Sequence, residues 1–271
     1  MIWQVVPSAR PDCVAKLVER FRQQSFRSAK LCLVVNGWPP DLDVERFLKE
    51  QDAWPDLLIR TESSPVGKAI ALNAALEQLD GELVAIRDDD DIQEPGDLEE
   101  AFRAYQETEA DAVVKLPHLV ILNGTLWMFA EELANSWAVR SDGSPDCRIS
   151  GSNMLFHTKL QLKFPLVRAI ESRYWAQALL DRGGRMWRTS VDNYVWVRDR
   201  KDHLWSASEA MVRHEYGMPD SPGFITQFVP ARRARRLVNG VWEWVDPPTL
   251  TDLLSWPTVA WAAGDPTIVD I

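Results

Sequence analysis

The fold class of this chain is decided by one stretch, Gly81-Glu82-Leu83-Val84-Ala85-Ile86-Arg87-Asp88-Asp89-Asp90-Asp91. Its apolar part, residues 83–86, does not alternate with polar positions, which is typical of a central strand covered on both faces. Four carboxylates follow directly, and like charges held close oppose the folded state unless something compensates them. Because ligands in open α/β sheets bind beyond the carboxyl ends of the strands, Asp88 and Asp90 predict a Mg²⁺ or Mn²⁺ site there. The alternative is a solvated acidic turn.

The residues around this strand alternate short apolar runs with longer stretches of helical period, which predicts a parallel sheet with crossover helices. Pro11 and Asp12 open a first helix. Gly67 stands at the entrance of a second, Ala- and Leu-rich helix that stops near Asp80-Gly81. The strands predicted in this half are residues 2–6, 31–35, 57–59 and 83–86.

The second half of the chain is less regular and predicts a mixed sheet. Strands are expected at residues 112–115, 118–122 and 194–197, and a helix at 170–180. Asn123-Gly124 and Asn239-Gly240 are hairpin signals. Beyond about residue 219 the composition changes to prolines, a basic cluster at 232–236 and further tryptophans, so we expect a C-terminal extension there.

The composition narrows the class of protein further. The chain has 271 residues, 46% of them hydrophobic, which is enough to bury one large α/β core. Its 30 Lys and Arg against 40 Asp and Glu leave a net charge of −10, which disfavours a sequence-independent grip on nucleic acid or anionic lipid. Three cysteines without metal-ligand spacing favour a reducing, cytoplasmic setting. No signal peptide or transmembrane segment is expected.

The ordered set of motifs resembles a GT-A-fold glycosyltransferase of the family 2 type over roughly residues 1–205. Members begin with an apolar strand that ends in a Pro-Thr/Ser turn, matched here by Val5-Val6-Pro7-Ser8-Ala9-Arg10. A second strand of the Val-Val-Asp-Asn kind is matched weakly by Val34-Val35-Asn36-Gly37, where the usual acidic residue is missing. The most specific match is a Gly, an Asn-containing helix and then Gly-Glu-Φ-Φ-Ala-Φ-Φ-Asp-x-Asp-Asp, in which Φ is apolar. It is carried by Gly67, Lys68, Asn73 and residues 81–91.

The resemblance implies the α/β GT-A fold, a Rossmann-like nucleotide-diphospho-sugar transferase fold with a mostly parallel central sheet flanked by helices. It implies a GT-A domain over residues 1–218, followed by a C-terminal extension, 219–271. Within that domain, residues 1–115 form the nucleotide-sugar-binding half and 116–218 the acceptor half. The implied activity is transfer of a sugar, a hexose by preference, from a UDP- or GDP-sugar to a hydroxyl acceptor.

The resemblance also assigns residues on the nucleotide side. Pro7, Ser8 and Arg10 line the nucleotide. Asp88 faces the nucleotide-sugar, and Asp90 ligates the Mn²⁺ or Mg²⁺ that bridges its diphosphate. Lys68 contacts a phosphate or the ribose, or is an ordinary solvated lysine. The remaining residues implied on this side are Asn36, Asn73, Arg87 and Asp89.

On the acceptor side, Gly151, Ser152 and Asn153 lie in a segment that resembles the family's Gly/Ala-rich strand. Inverting members carry a Glu-Asp pair about a dozen residues before a Gly, and its Asp deprotonates the acceptor. Here the pair reads Glu171-Ser172, and a serine cannot accept a proton at neutral pH. Either Glu171 is the base, which we prefer, or the enzyme is retaining and needs no carboxylate base.

His203 lies in a stretch that resembles the family's Tyr-x-x-Arg-x-x-x-His-x-x-Ser motif, which implies a metal or diphosphate ligand. Neutral imidazole suits Mn²⁺ better than Mg²⁺, so a ligand role here favours manganese. The implied acceptor is a polysaccharide or a lipid-linked precursor. The basic cluster at 232–236 leaves a protein or a hydroxylated nucleobase in DNA open as alternatives.

Two other function classes stay open from the sequence. A haloacid-dehalogenase-like phosphatase also places two carboxylates after a buried strand to bind Mg²⁺. Its motif normally continues into Gly and Thr, whereas Ile92-Gln93 follow here. A non-enzymatic module stabilised by a metal is the other alternative.

Overall fold

The computed structural model describes residues 1–61, 67–115, 134–139, 146, 149, 151–166, 171–190 and 193–197, together with the backbone of the strands listed below outside these ranges. Five α-helices lie in these residues: α1 (Val14–Gln23), α2 (Val44–Glu50), α3 (Lys68–Gln78), α4 (Asp97–Thr108) and α5 (Glu171–Asp181). The strands are β1 (Ile2–Ser8), β2 (Ala29–Val35), β3 (Leu57–Arg60), β4 (Leu83–Arg87), β5 (Ile92–Gln93), β6 (Ala112–Val114), β7 (Leu119–Leu122), β8 (Thr125–Met128), β9 (Ser136–Trp137), β10 (Asn153–His157), β11 (Met186–Arg188), β12 (Tyr194–Val197), β13 (Val229–Pro230), β14 (Ala234–Val238), β15 (Val241–Val245) and β16 (Val259–Ala260).

Local sequence accounts for the ends of the helices. A 3-10 turn with Pro11 at its start leads into α1. The Asp43 carboxylate caps α2 by accepting a hydrogen bond from the Arg46 backbone N–H at 3.1 Å. Gly81 has a φ of 79°, a left-handed conformation that glycine adopts without steric cost, and the chain reverses there between α3 and β4.

The central sheet has eight strands in the order β3-β2-β1-β4-β10-β6-β11-β9. β1 pairs parallel with β2 and β4, and β2 pairs parallel with β3. β10 is antiparallel to both β4 and β6, with Asn153 opposite Arg87. The first residue of β10 therefore lies at the same edge of the sheet as the carboxyl ends of β1, β2 and β4, which brings the segment around residue 151 beside the acidic residues after β4.

Helices cover both faces of this sheet, as crossover connections require. α3 and α5 pack on one face, where Leu72 and Trp175 are fully buried and Trp175 lies 4.4 Å, centroid to centroid, from Phe156. On the opposite face, α1 and α2 cover one part of the sheet, while α4 covers the part near β4 and β6. β4 is buried along its whole length, which confirms the central strand predicted from its unbroken apolar run.

A second sheet has five strands in the order β13-β8-β7-β12-β5. β12 pairs parallel with β7 and antiparallel with β5, the short strand that directly follows the acidic residues. β7 and β8 form the hairpin predicted at Asn123-Gly124, and β14 and β15 form the one predicted at Asn239-Gly240. β14, β15 and β16 make a third sheet, and Arg235 and Arg236 of the basic cluster are part of its strand β14.

The mixed α/β architecture confirms the predicted fold class. Each predicted strand of the first half is present within two residues of its expected bounds, and the predicted helices are present too. β5, β9 and β11 were not predicted, because strands of two or three residues are too short to show a periodicity. Among the described residues, no helix combines the length and apolar character needed to cross a bilayer.

Candidate active site

The candidate site lies at the edge of the central sheet where β1, β2 and β4 end. At this edge the Ser8 carbonyl oxygen accepts two hydrogen bonds. The Asn36 backbone N–H and the buried Trp38 indole N–H both donate to it at 2.9 Å. Thr61 Oγ1 lies 3.2 Å from the Asn36 carboxamide oxygen. These contacts hold the segments after β1, β2 and β3 together, and the Ser8 side chain in turn contacts the acidic loop, residues 88–91.

The negative charges of Asp89 and Asp90 are compensated by the β1 turn, residues 8–10, where β1 ends. The Ser8 hydroxyl donates to Asp89 Oδ2 at 2.7 Å. The Arg10 guanidinium pairs with Asp89 through Nη2 and with Asp90 Oδ2 at 2.9 Å. A second terminal nitrogen of Arg10, Nη1, is buried and has no hydrogen-bond partner among the described residues. The turn therefore offers one unsatisfied cationic donor directly beside the carboxylates.

These contacts set the charge states at the β1 turn. Burial and the neighbouring Asp90 raise the pKa of Asp89 to about 6, although Arg10 and Ser8 oppose the shift. Burial of the Arg10 guanidinium disfavours its charge, but Asp89 and Asp90 outweigh it and raise the pKa of Arg10 further. Arg10 is therefore a permanent cation, and it holds two acidic side chains together at one point.

Asp88 lies on the other side of the loop and is paired with α3. Lys68 Nζ, in the first turn of α3, lies 2.5 Å from Asp88 Oδ1 and 3.3 Å from the Gly151 carbonyl oxygen. Partial burial opposes the charge of Lys68, but Asp88 and then Glu171 raise its pKa above the ordinary value. Lys68 therefore connects the acidic loop with the acceptor-side residues Gly151 and Glu171.

Gly151 lies against the first turn of α5. A Cβ atom added at Gly151 would lie 2.3 Å from Ser172 Oγ, 2.8 Å from Ser172 Cβ and 4.0 Å from Glu171 Oε1. Only a glycine permits this close approach of the strand segment to the helix. Glu171 and Ser172 are both buried, at 8% and 7% exposure. The expected base position and the expected acceptor segment are thus in contact.

Asp91 is held by the second sheet. The Tyr194 hydroxyl donates to Asp91 Oδ2, and the Val197 backbone N–H donates to Asp91 Oδ1 at 3.0 Å. Burial, followed by Asp91 and Asp88, raises the pKa of Tyr194 well above its ordinary value, so the phenol keeps its proton. The Asp91 backbone carbonyl accepts a further bond from Arg20 at 2.9 Å.

The loop has the donor set of a divalent-cation site. One carboxylate oxygen each from Asp88, Asp90 and Asp91 lie within 4.8 Å of one another. Carboxylate oxygens are the ligands that Mg²⁺ and Mn²⁺ prefer, so these residues fit such an ion. Asp88 is partly exposed, whereas Asp90 and Asp91 are 5% and 2% exposed, so an ion would be reached from the Asp88 side.

Three residues expected in the site make hydrogen bonds or ion pairs with other elements of the fold. The Asn73 carboxamide donates to the Phe164 carbonyl and accepts from the Phe164 N–H, both at 2.8 Å. Arg87 is fully buried, and its Nε lies 2.6 Å from Asp97 Oδ2. Asn153 donates to the other oxygen of Asp97 at 3.0 Å.

The remaining expected residues in the described part of the chain are Pro7 and Ser152. Pro7 is half-buried on β1 beside Ser8, and Ser152 is buried with its carbonyl oxygen 3.2 Å from the Tyr194 hydroxyl. His203 lies outside the described residues. The sequence predicted no site role for Asp91 or Tyr194, and it placed Ser172 at the usual base position without a catalytic role. The four-carboxylate run could have identified Asp91. Ser172 and Tyr194 could not be found in this way, because the residues they contact, Gly151 and Asp91, are distant in the chain.

Comparisons with known proteins show the family and the fold of this chain. A family model described as glycosyl transferase family 2 matches residues 8–167. Residues 1–349 of TarS from S. aureus, in complex with UDP-GlcNAc, share 17% identity over 76% of this chain and 61% of that chain, with a TM-score of 0.61. The mannosyltransferase PcManGT from Pyrobaculum calidifontis, in complex with GDP-Man and Mn²⁺, shares 17% identity over 75% of this chain and 58% of that chain, with a TM-score of 0.53.

At these identities the solved structures establish a shared fold. This chain spans about 60% of the length of the TarS fragment. No curated protein matches the chain.

Proposed function

This chain belongs to glycosyl transferase family 2, and from that premise we propose that it transfers a sugar from a nucleotide-diphosphate donor to a hydroxyl acceptor. The observation that carries the proposal is the carboxylate group of Asp88, Asp90 and Asp91 at the carboxyl edge of the sheet, within reach of two cationic side chains. The family match favours this activity over a phosphatase or a non-enzymatic module.

Asp90, with Asp88 beside it, holds a divalent cation, Mn²⁺ or Mg²⁺. When bound, such an ion supplies neutralisation of the charge on the departing diphosphate. The spacing of the three carboxylate oxygens supports this assignment. His203 as a further ligand remains a prediction from the resemblance.

Arg10 and Lys68 bind the donor's phosphates. Both cations pair with aspartates of the loop, Arg10 with Asp90 at 2.9 Å and Lys68 with Asp88 at 2.5 Å. A divalent cation on these carboxylates would take over part of that pairing and leave the two side chains available to an anionic ligand. The unsatisfied Nη1 of Arg10 is a donor that a phosphate oxygen would satisfy. Ser8, Asn36 and Pro7 would line the nucleoside.

Glu171 is the proposed base for the acceptor hydroxyl. It is buried at the start of α5, it faces Gly151, and its charge acts on Lys68. The acceptor would enter along residues 151–153, beside the first turn of α5 that carries Glu171. A retaining enzyme without this base is the alternative.

The acceptor is proposed by chemical class only: a polysaccharide, a lipid-linked precursor or a hydroxylated nucleobase in DNA. The proposed organisation is a catalytic domain over residues 1–218 and a C-terminal extension over 219–271, with the basic cluster at 232–236 in the extension. Such a cluster would attract an anionic acceptor despite the net charge of −10.

The test is metal-dependent binding of UDP and GDP, measured by calorimetry with Mn²⁺ and with EDTA. We expect tighter binding with Mn²⁺, and Asp90→Ala should abolish the difference. Asp80→Ala is the matched control, because Asp80 is an exposed acid at the opposite edge of the sheet. Equal affinity in the wild type under both conditions contradicts the metal assignment. Hydrolysis of UDP- and GDP-sugars, compared with that of phosphomonoesters, tests the reaction class.

A further inference from the structure

The carboxylates of the acidic loop have two kinds of hydrogen-bond partner. Asp88 pairs with Lys68, and Asp89 and Asp90 both pair with Arg10; the ends of these two long side chains can move when a ligand arrives. Asp91 instead accepts hydrogen bonds on both of its oxygens, from the Tyr194 hydroxyl and from a backbone N–H. Neither of these donors carries a charge, and neither can swing away.

Tyr194 is built rigidly into the structure. It is 1% exposed and lies on β12, which pairs with β5 directly after the loop through Tyr194 opposite Gln93. The Glu94 N–H adds a bond to the Asn193 carbonyl at 3.0 Å, which fastens the turn before β12 to the same segment. The phenol therefore has a fixed position relative to the acidic loop.

The phenol also reaches the acceptor side. Its oxygen lies 3.2 Å from the Ser152 carbonyl oxygen, and Ser152 is adjacent to Gly151, against which α5 packs. A phenol has one proton, and the carboxylate is the stronger acceptor, so that proton is donated to Asp91. Tyr194 thus joins the metal-site loop, the acceptor segment and the second sheet at one point.

We propose that Tyr194 is a positioning residue, which fixes the Asp91 carboxylate and thereby sets the geometry at which Asp88 and Asp90 present their oxygens to a divalent cation. Although one Asp91 oxygen lies within 4.8 Å of oxygens of Asp88 and Asp90, both Asp91 oxygens already accept hydrogen bonds, so Asp91 serves in this arrangement as an anchor of the loop. The inference rests on the proposed metal site. It adds that β12, through Tyr194, fixes the orientation of the acidic loop at that site. Partners that orient the residues of a metal site typically change metal affinity 10- to 100-fold when removed.

The test uses the full chain and Mn²⁺ alone, with free Mn²⁺ followed by electron paramagnetic resonance. Tyr194→Phe removes the hydroxyl and keeps the ring, and we expect the Kd for Mn²⁺ to rise by about tenfold or more. Thr158→Val is the matched control. It removes a buried hydroxyl that bonds the Leu79 carbonyl at 2.9 Å, at the opposite end of β10 from Asn153. Its Kd for Mn²⁺ should equal that of the wild type, whatever its effect on stability.

A double-mutant cycle separates an anchor from a ligand. If Asp91 acts through Tyr194, Asp91→Asn and Tyr194→Phe should weaken Mn²⁺ binding to a similar degree, and the double variant should be no worse than either. Asp91→Asn that costs as much as Asp90→Ala, with additive effects in the double variant, overturns the proposal. So does an unchanged Kd in Tyr194→Phe.

Mn²⁺ binding by the wild type distinguishes failure of the proposed metal site from failure of the positioning role. If the wild type binds Mn²⁺ and Asp90→Ala removes that binding, the proposed metal site stands, and the variants of Tyr194 and Asp91 decide the positioning role alone. If the wild type does not bind Mn²⁺, the proposed metal site fails and the positioning role fails with it. Circular dichroism confirms that each variant is folded at the temperature of the binding measurement.

Discussion

Gly151→Ala should impair this protein more through catalysis than through stability. The added Cβ would lie 2.3 Å from Ser172 Oγ and 2.8 Å from Ser172 Cβ, closer than such atoms approach in folded proteins. The Ser172 hydroxyl can rotate away from its contact, but the Ser172 Cβ is fixed to the backbone of α5. The first turn of α5 must therefore shift, and Glu171 shifts with it.

The size of the effect follows from this displacement. Overpacking of this kind costs about 1–3 kcal/mol of unfolding free energy. A misplacement of about 1 Å at a catalytic group lowers turnover by roughly 10²-fold. We therefore expect a modest loss of stability in urea unfolding and a loss of about two orders of magnitude in kcat for nucleotide-sugar hydrolysis.

Two further variants separate the effect on catalysis from the effect on stability. Gly184→Ala also forces a Cβ against α5, 2.4 Å from Leu179 Cδ1, but at the far end of the helix. It should lower stability by a comparable amount and leave kcat near the wild-type value. Gly151→Ala combined with Ser172→Gly removes both clashing atoms and should restore turnover. A Gly151→Ala variant with wild-type kcat, or a double variant with no recovery, would refute the argument.

Three further predictions follow from single contacts. Glu171→Gln should keep nucleotide binding and lower turnover by roughly 10²- to 10⁴-fold, the usual contribution of a positioned base; retained turnover, or a product with the donor's anomeric configuration by NMR, would indicate a retaining enzyme. Asn73→Ala should lower stability by about 1–3 kcal/mol, since it leaves the buried Phe164 backbone unpaired, with unchanged affinity for UDP or GDP; weaker nucleotide binding would assign Asn73 to the donor site instead. Asp97→Ala should cost about 3–5 kcal/mol in urea unfolding, because it leaves the fully buried Arg87 without its counter-ion, and a loss under 1 kcal/mol would contradict that role.

The sequence alone predicted the longer helices and strands and a candidate site directly after β4. The unbroken apolar run of β4, the period of α1 and the Gly at the end of α3 are local signals, because residues within one element determine its periodicity and its ends. The acidic run directly after β4 placed the candidate site at the carboxyl edge of the sheet for the same reason.

Only the tertiary structure assigned a partner to each residue of the site. β10 is inserted antiparallel between β4 and β6, and that insertion brings Gly151 to the acidic loop. Expected nucleotide-side residues such as Arg87 and Asn73 have partners inside the fold, whereas Tyr194, which has no motif, contacts Asp91 across 103 positions of the chain. A periodicity or a motif reports on residues near one another in the chain. The partner of a buried polar group is selected instead by the packing of distant elements, which must satisfy every buried donor and acceptor at once.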